Sequence, residues 1–309
     1  MTGTEPDTVR SDALDLVDAV VYADVFDTAV SFSTLHRFGR ARIDRDLLAS
    51  MLTDDPLVRE AVERHASGAY TLRGRSDVAE GYADRVRRAA RLRARAYRVA
   101  RVLRHAPFVR GIMLTGSVAA ADAPADADVD LLVIVADDRV GTVFVLLGTA
   151  SRIVGRRWFC PNFYLAESRL ELAPHTAYIG HEVAQALAIV GEADALRTAN
   201  PWLDEMFPNL GPATPPAMSA GGRLQRLLEA LLRGRLGESL ERRARRLALS
   251  RLHAHYGGRV PVDVAARLDQ GVALRFHASL VEFDVPARYE ERREAVREAL
   301  GTYVAHGAD

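Results

Sequence analysis

Two short groups of residues near the middle of the chain have the types and spacing to do chemistry together. Gly116 and Ser117 follow an apolar run, and Asp128 and Asp130 come after ten intervening residues. A glycine lets backbone N–H groups approach a ligand closely, and the serine adds a hydroxyl, so the pair is typical of an anion-holding turn. Asp128 and Asp130 are two apart on a predicted strand, which puts both carboxylates on one face. Adjacent carboxylates repel each other unless a divalent cation lies between them, and hard oxygen ligands favour Mg²⁺.

Three predicted strands and one helix must position these residues. The strands are predicted over 109–115, 128–135 and 158–165, with a helix over 139–157 between the last two. Residues 131–135 are continuously apolar, which indicates a central strand covered on both faces. The order of these elements predicts an α/β core in which a phosphate-holding turn faces two carboxylates.

The combination of Gly116-Ser117 with Asp128-Val129-Asp130 resembles the signature of the polymerase-beta-type nucleotidyltransferase superfamily. More loosely, the whole chain resembles a bacterial group that joins an N-terminal winged helix to such a domain and then to a helical tail. Residues 160–165 and 200–202 are similar to segments of that group. The resemblance implies an α/β (α+β) nucleotidyltransferase core with a small mixed sheet, preceded by a winged helix and followed by a mainly helical C-terminal region.

The resemblance also implies roles for the four residues. Gly116 and Ser117 would hold the β- and γ-phosphates of a nucleoside triphosphate, the substrate. Asp128 and Asp130 would be the catalytic carboxylates and would bind two Mg²⁺ ions. An acceptor hydroxyl or phosphate would attack the α-phosphate in line and release pyrophosphate, with no covalent intermediate.

The chain departs from this family pattern at two places. The family usually places a third carboxylate on a later strand, but residues 159–165 contain no acid. Asn162 and Glu167 are the two candidates to complete the metal site, and Asn162 can ligate a metal but cannot take a proton. Ala127 stands where a serine or threonine often precedes the aspartates.

The rest of the chain divides into flanking regions. We predict a winged-helix-like domain over 11–78, an Arg-rich connecting helix over 79–106, the nucleotidyltransferase core over 107–170, and a helical region over 171–309 with a linker near 208–222. The connecting helix carries nine arginines. It could bind nucleic acid, or it could pack its apolar residues inward and leave the arginines in solvent. The balanced net charge favours packing.

Composition excludes several classes of mechanism. The 41 basic residues balance the 41 acidic ones, and all 41 are arginine. Without lysine, Schiff-base chemistry and a Walker-type phosphate loop are excluded. The single cysteine, Cys160, cannot form an internal disulfide, and the first residues lack the basic-then-apolar layout of a signal peptide. We therefore expect a cytoplasmic protein with no membrane partner.

These observations favour a nucleotidyltransferase acting on a small-molecule or protein acceptor whose identity the sequence does not give. The alternative is a nucleotide-sensing, DNA-binding regulator whose nucleotidyltransferase domain is inactive. DNA would then be the partner of the winged helix, although the best candidate recognition helix, over 43–52, offers only Arg45 to read bases. A third option is a degenerate domain that serves as an interaction scaffold.

Overall fold

The structure, a computed structural model, is a mixed α/β protein with two small sheets and a helical C-terminal part. It describes residues 5–192, 194–212, 216–256, 273–275 and 280–306. Residues 213–215 of the predicted linker and 257–272 of the predicted helical region lie outside this set. No helix in the described part combines the length and the apolar composition that a bilayer crossing requires.

The N-terminal unit is built from four helices and a three-stranded antiparallel sheet of order β1-β3-β2. Side chains cap three of its helices: Ser31, Asp44 and Asp55 each accept a hydrogen bond from a backbone N–H in the first turn. The elements follow the order α1 (Glu5–Asp24), β1 (Val30–Ser31), α2 (Phe32–Phe38), α3 (Arg45–Asp54), α4 (Pro56–Ala61), β2 (Val62–Arg64) and β3 (Ala69–Leu72).

The second sheet has five strands in the order β7-β4-β5-β6-β8. Strands β5 and β6 are parallel and the other pairs are antiparallel, so the sheet is mixed. The elements from the end of the first unit onward are α5 (Ser76–Ala79), α6 (Tyr82–Leu103), β4 (Val109–Leu114), α7 (Gly116–Ala119), β5 (Asp130–Val135), α8 (Val140–Val154), β6 (Cys160–Ala166), α9 (Ala177–Ala184), β7 (Leu187–Val190), α10 (Ala195–Thr198), α11 (Trp202–Met206), α12 (Arg223–Leu231), α13 (Arg235–Tyr256), β8 (Ala273–Arg275) and α14 (Leu280–His306).

Strand β5 is covered on both faces, as its apolar run predicts. Leu131 and Val133 point to one face, where they pack with buried residues of α6, α8 and α13. Leu132 and Ile134 point to the other face, where they pack with Phe38 of α2 and with residues of α9 and α11. The alternation of side chains along a strand places Asp130 on this second face, beneath the N-terminal unit.

The Arg-rich helix α6 packs against the core and holds the segment that follows α7. Arg93 donates to the carbonyls of Val118 and Ala119, at 2.9 and 2.7 Å. Arg88 donates to the carbonyl of Ala123 at 2.7 Å. These bonds satisfy backbone carbonyls at and just after the end of the short helix α7. Arg88 and Arg93 therefore have a structural role.

Helix α14 belongs to the core of the N-terminal unit. Its Val285 and Tyr289 are buried among residues of α1, α4 and β3. Asp18 of α1 is fully buried and accepts hydrogen bonds from the Tyr289 hydroxyl (2.5 Å) and from Arg40 and Arg293 (both 3.1 Å). The predicted division at 171–309 therefore needs correction, because the last helix of that region packs with the first unit of the chain.

Candidate functional site

The turn that follows β4 lies directly against Asp130. The Thr115 N–H donates to the carbonyl of Asp130 at 3.0 Å, which extends the pairing of β4 and β5 into the turn. Gly116 has φ +67°, a left-handed conformation that favours glycine. A Cβ atom at this position would lie 2.7 Å from Oδ2 of Asp130. Glycine is therefore required both by the backbone and by the carboxylate packed against it.

The backbone N–H groups of the turn are suited to hold an anion. Gly116 and Ser117 begin α7, and no side chain caps this helix. The first N–H groups of a helix have no acceptor within it, so they need an external one. Both residues are partly exposed. The predicted nucleotide-binding pair therefore begins a one-turn helix without a side-chain cap at a partly exposed surface.

Asp128 and Asp130 lie on the same side of the chain. Val129 between them is fully buried, and its carbonyl accepts a hydrogen bond from the Cys160 N–H at 2.7 Å. Burial and, to a smaller extent, the negative charge of Asp128 together raise the pKa of Asp130 to about 7. The two predicted catalytic acids are thus close enough to interact, as their spacing indicates.

Asn162 joins the site through an irregularity in β6. Leu131 pairs with Pro161 and Leu132 pairs with Phe163, so Asn162 is an extra residue between two paired positions. Such bulges redirect a side chain out of the regular alternation. The Asn162 amide donates to Oδ1 of Asp130 at 3.0 Å. The structure therefore brings Asn162, one of the two predicted candidates to complete the metal site, into contact with Asp130.

The donor set fits Mg²⁺ that binds together with a phosphate substrate. Within the described residues, no group of three or more histidine, cysteine, aspartate or glutamate side chains could hold a metal. Mg²⁺ keeps several waters and is usually bound through one or two carboxylates plus substrate phosphates. Asp128 and Asp130 supply two carboxylates, and a bound cation would offset the burial and the Asp128 charge that raise the pKa of Asp130.

Glu167 does not belong to this site. It follows the last residue of β6, and its N–H donates to the carbonyl of Val135 at the far end of β5 from Asp130. Its carboxylate lies 3.5 Å from Arg110. Because β5 and β6 are parallel, only residues at the start of β6 lie near Asp130. The prediction that Glu167 completes the metal site is therefore withdrawn.

Two other polar residues, one in segment 160–165 and one in segment 200–202, have structural roles. Cys160 is buried, and its pKa is raised to about 12 by burial and by the charge of Asp130. Its thiol stays protonated and is not a nucleophile. Asn200 is fully buried, where it accepts from the Leu172 N–H and donates to the Leu170 carbonyl, both at 2.8 Å. These bonds connect the loop that contains Leu170 and Leu172 to the loop that contains Asn200.

Helix α9 brings residues to the site that sequence reasoning missed. Its Tyr178 and Glu182 line a small crevice together with Thr115 and Asn162. They also line a larger cavity of about 250 Å³ on the other side, whose lining includes the turn at Gly116. The sequence does not predict that Tyr178 and Glu182 lie at the site, because α9 reaches it by packing on the second face of the sheet.

Comparison of the chain with protein-family models, with curated proteins and with solved structures finds no match. The case for a function therefore lies in the arrangement of the turn, the two acids and Asn162.

Proposed function

We propose that this chain is a magnesium-dependent nucleotidyltransferase, which moves a nucleoside monophosphate from a triphosphate to a hydroxyl or phosphate group of a small molecule or a protein. On this proposal, residues 107–170 form a polymerase-beta-type core and residues 11–78 form a winged helix. The observation that carries it is the contact between the Gly116 backbone and the carboxylate of Asp130, where a Cβ atom would lie 2.7 Å from Oδ2. This contact supports a site in which an anion-holding turn and a metal-binding acid face one substrate.

The residues of the site would act by positioning and by electrostatics. Asp128 and Asp130 would hold Mg²⁺, which when bound neutralises charge on phosphate oxygens and lowers the pKa of the attacking hydroxyl. The N–H groups of Gly116 and Ser117 would donate to phosphate oxygens and fix the triphosphate. Asn162 fixes the Asp130 carboxylate by donating to Oδ1. No covalent intermediate is needed, because correct placement supplies most of the rate enhancement.

An acceptor hydroxyl must lose a proton, and Asn162 cannot accept one. Glu182 is the acid best placed to do so, since it lines the same crevice as Asn162 and Thr115. Its Oε1 accepts a hydrogen bond from the Gln185 amide at 3.1 Å, which orients the carboxylate. Its position supports a role as general base.

Release of pyrophosphate tests the proposal. The full chain is incubated with Mg²⁺, cell extract and each labelled nucleoside triphosphate in turn. We expect pyrophosphate from at least one triphosphate, loss of turnover in the double variant Asp128→Ala/Asp130→Ala, and a decrease of at least about 100-fold in Glu182→Gln, typical of a lost general base. Asp126→Ala, an exposed loop acid, is the matched control. Unchanged turnover in the double variant would refute the proposal.

The second candidate is a nucleotide-sensing DNA-binding regulator. It is favoured by Asn162 in place of a third acid and by the helix and strand order of the N-terminal unit. Helix α3 opposes it, because Asp44 and Asp46 flank its single arginine, Arg45, whose guanidinium lies 4.9 Å from the ring centre of Phe32. Retention on duplex DNA with a steep salt dependence would support this candidate, whereas no retention at low salt would dispose of it.

A further inference from the structure

A cavity of about 250 Å³ lies between the N-terminal unit and the turn of the core. Gly116, Ser117 and Ala120 are among its lining residues. None of the arginines in the described part of the chain lines it. Six of its twenty described lining residues carry aromatic rings and come from α1, the turn after α1, α2, α6 and α9: Tyr22, Phe26, Phe38, Tyr82, Tyr178 and His181.

His181 presents an unsatisfied nitrogen among these aromatic side chains. Its ring stacks on Tyr22 with a centroid distance of 3.6 Å and an angle of 4° between the planes. Burial lowers the pKa of His181 to about 3, so the imidazole is neutral. Its Nε2 is buried and has no hydrogen-bond partner in the described part of the protein. A buried polar atom without a partner is costly, and a bound ligand would remove that cost.

Asp122 places a carboxylate in the lining of the cavity, where it is 6% exposed. Arg85 donates to its Oδ1 at 2.5 Å, and the backbone N–H of Ala29 is a further hydrogen-bond partner of the carboxylate. A carboxylate oxygen can only accept, so a ligand group that contacts Asp122 must offer an N–H or O–H.

We propose that this cavity binds the nucleobase of a nucleotide, with the ring against the aromatic side chains and the phosphates leaving at the turn that forms its edge. The inference rests on the proposed function and names the part of the substrate that the N-terminal unit recognises. Aromatic side chains suit a flat ring, and Asp122 suits a ring that donates N–H groups. The absence of lining arginines makes the cavity unsuited to the phosphates. Its volume is just below the range of about 300–1,000 Å³ that holds whole ligands, so it fits a ring system and not a whole nucleotide.

Binding of nucleosides tests this inference without using the metal site. Calorimetric titrations use adenosine, guanosine, cytidine and uridine without phosphate and without Mg²⁺. We expect at least one to bind the wild-type chain, and to bind Asp128→Ala/Asp130→Ala equally well. His181→Phe keeps the stacked ring but removes Nε2, so its affinity should fall about three- to tenfold, the effect of one lost hydrogen bond.

Two bulky substitutions provide a matched pair. Ala120 and Ala125 are both exposed and lie in the same connection between α7 and β5, but only Ala120 lines the cavity. Ala120→Trp should abolish nucleoside binding, and Ala125→Trp should leave it unchanged. Thermal unfolding of each variant confirms that it is folded.

The outcomes separate the two proposals. If no nucleoside binds the wild-type chain, or if binding survives Ala120→Trp, the nucleobase site is wrong even when pyrophosphate is released. A second outcome is that nucleosides bind, that Ala120→Trp abolishes their binding, and that no triphosphate releases pyrophosphate. This outcome would support the nucleobase site and refute the transferase proposal.

Discussion

Replacing Asp130 by asparagine should stabilise the metal-free protein above neutral pH. The pKa of Asp130 rises from its usual 3.8 to about 7, mainly through burial and then through Asp128. Because the folded state holds this proton more tightly than the unfolded chain, the favourable contribution is complete below about pH 4 and is lost as the pH rises to 7. A shift of about 3 pKa units corresponds to about 4 kcal/mol. Asp130→Asn removes the ionisable group and keeps an acceptor for Asn162.

Urea unfolding in EDTA at several pH values between 4.5 and 8 measures this effect. We expect the free energy of unfolding of the wild-type chain to fall across this range, and Asp130→Asn to flatten the fall and to be more stable by up to about 4 kcal/mol at pH 8. Added Mg²⁺ should stabilise the wild-type chain at pH 8 but not the variant. Asp126→Asn, an exposed loop acid, serves as control. A wild-type stability that does not change between pH 5 and pH 8 in EDTA would refute the reasoning.

Three further substitutions and one control test other parts of the structure. Gly116→Ala should abolish pyrophosphate release, because the new Cβ would lie 2.7 Å from Oδ2 of Asp130. The control is Gly148→Ala, whose Cβ would meet nothing within 4 Å. It should leave turnover unchanged and raise the free energy of unfolding by about 0.5–1 kcal/mol. Asn162→Asp should tighten Mg²⁺ binding measured by titration calorimetry, and weaker binding would contradict its place beside the acids. Asp18→Ala should cost about 1–3 kcal/mol in urea unfolding, because it removes the buried carboxylate to which the Tyr289 hydroxyl and two half-buried arginines donate. A loss well below about 1 kcal/mol would show that this network is not needed for the packing of α14.

The features that depend on local spacing could be predicted from the sequence. The apolar run of β5 predicts a strand covered on both faces, and the structure has one. The spacing of Asp128 and Asp130 predicts that they share a face, and the charge of Asp128 adds to the effect of burial on the pKa of Asp130, so the two acids are close enough to interact. Both features follow from the alternation of side chains along extended chain, which needs no knowledge of distant residues.

The features that depend on long-range packing could not be predicted. Glu167 is near Asn162 in sequence, but the direction of β6 carries it to the other end of the sheet. Asn162 reaches Asp130 through a bulge that the strand pattern does not reveal. Helix α9 reaches the site because it packs on the second face of the sheet. Its residues Glu182 and His181 are far from the Asp pair in sequence, so no local motif includes them.

The packing of α14 against α1 has a consequence for synthesis of the chain. Domains generally fold as units while the ribosome makes them, N-terminal parts first. Here the interior of the N-terminal unit includes Val285 and Tyr289 of α14, which are synthesised much later. Asp18 likewise lacks its hydrogen bond from Arg293 until α14 has been made. The N-terminal unit therefore cannot complete its interior until residues 285–293, which follow the five-stranded sheet in the sequence, have been made.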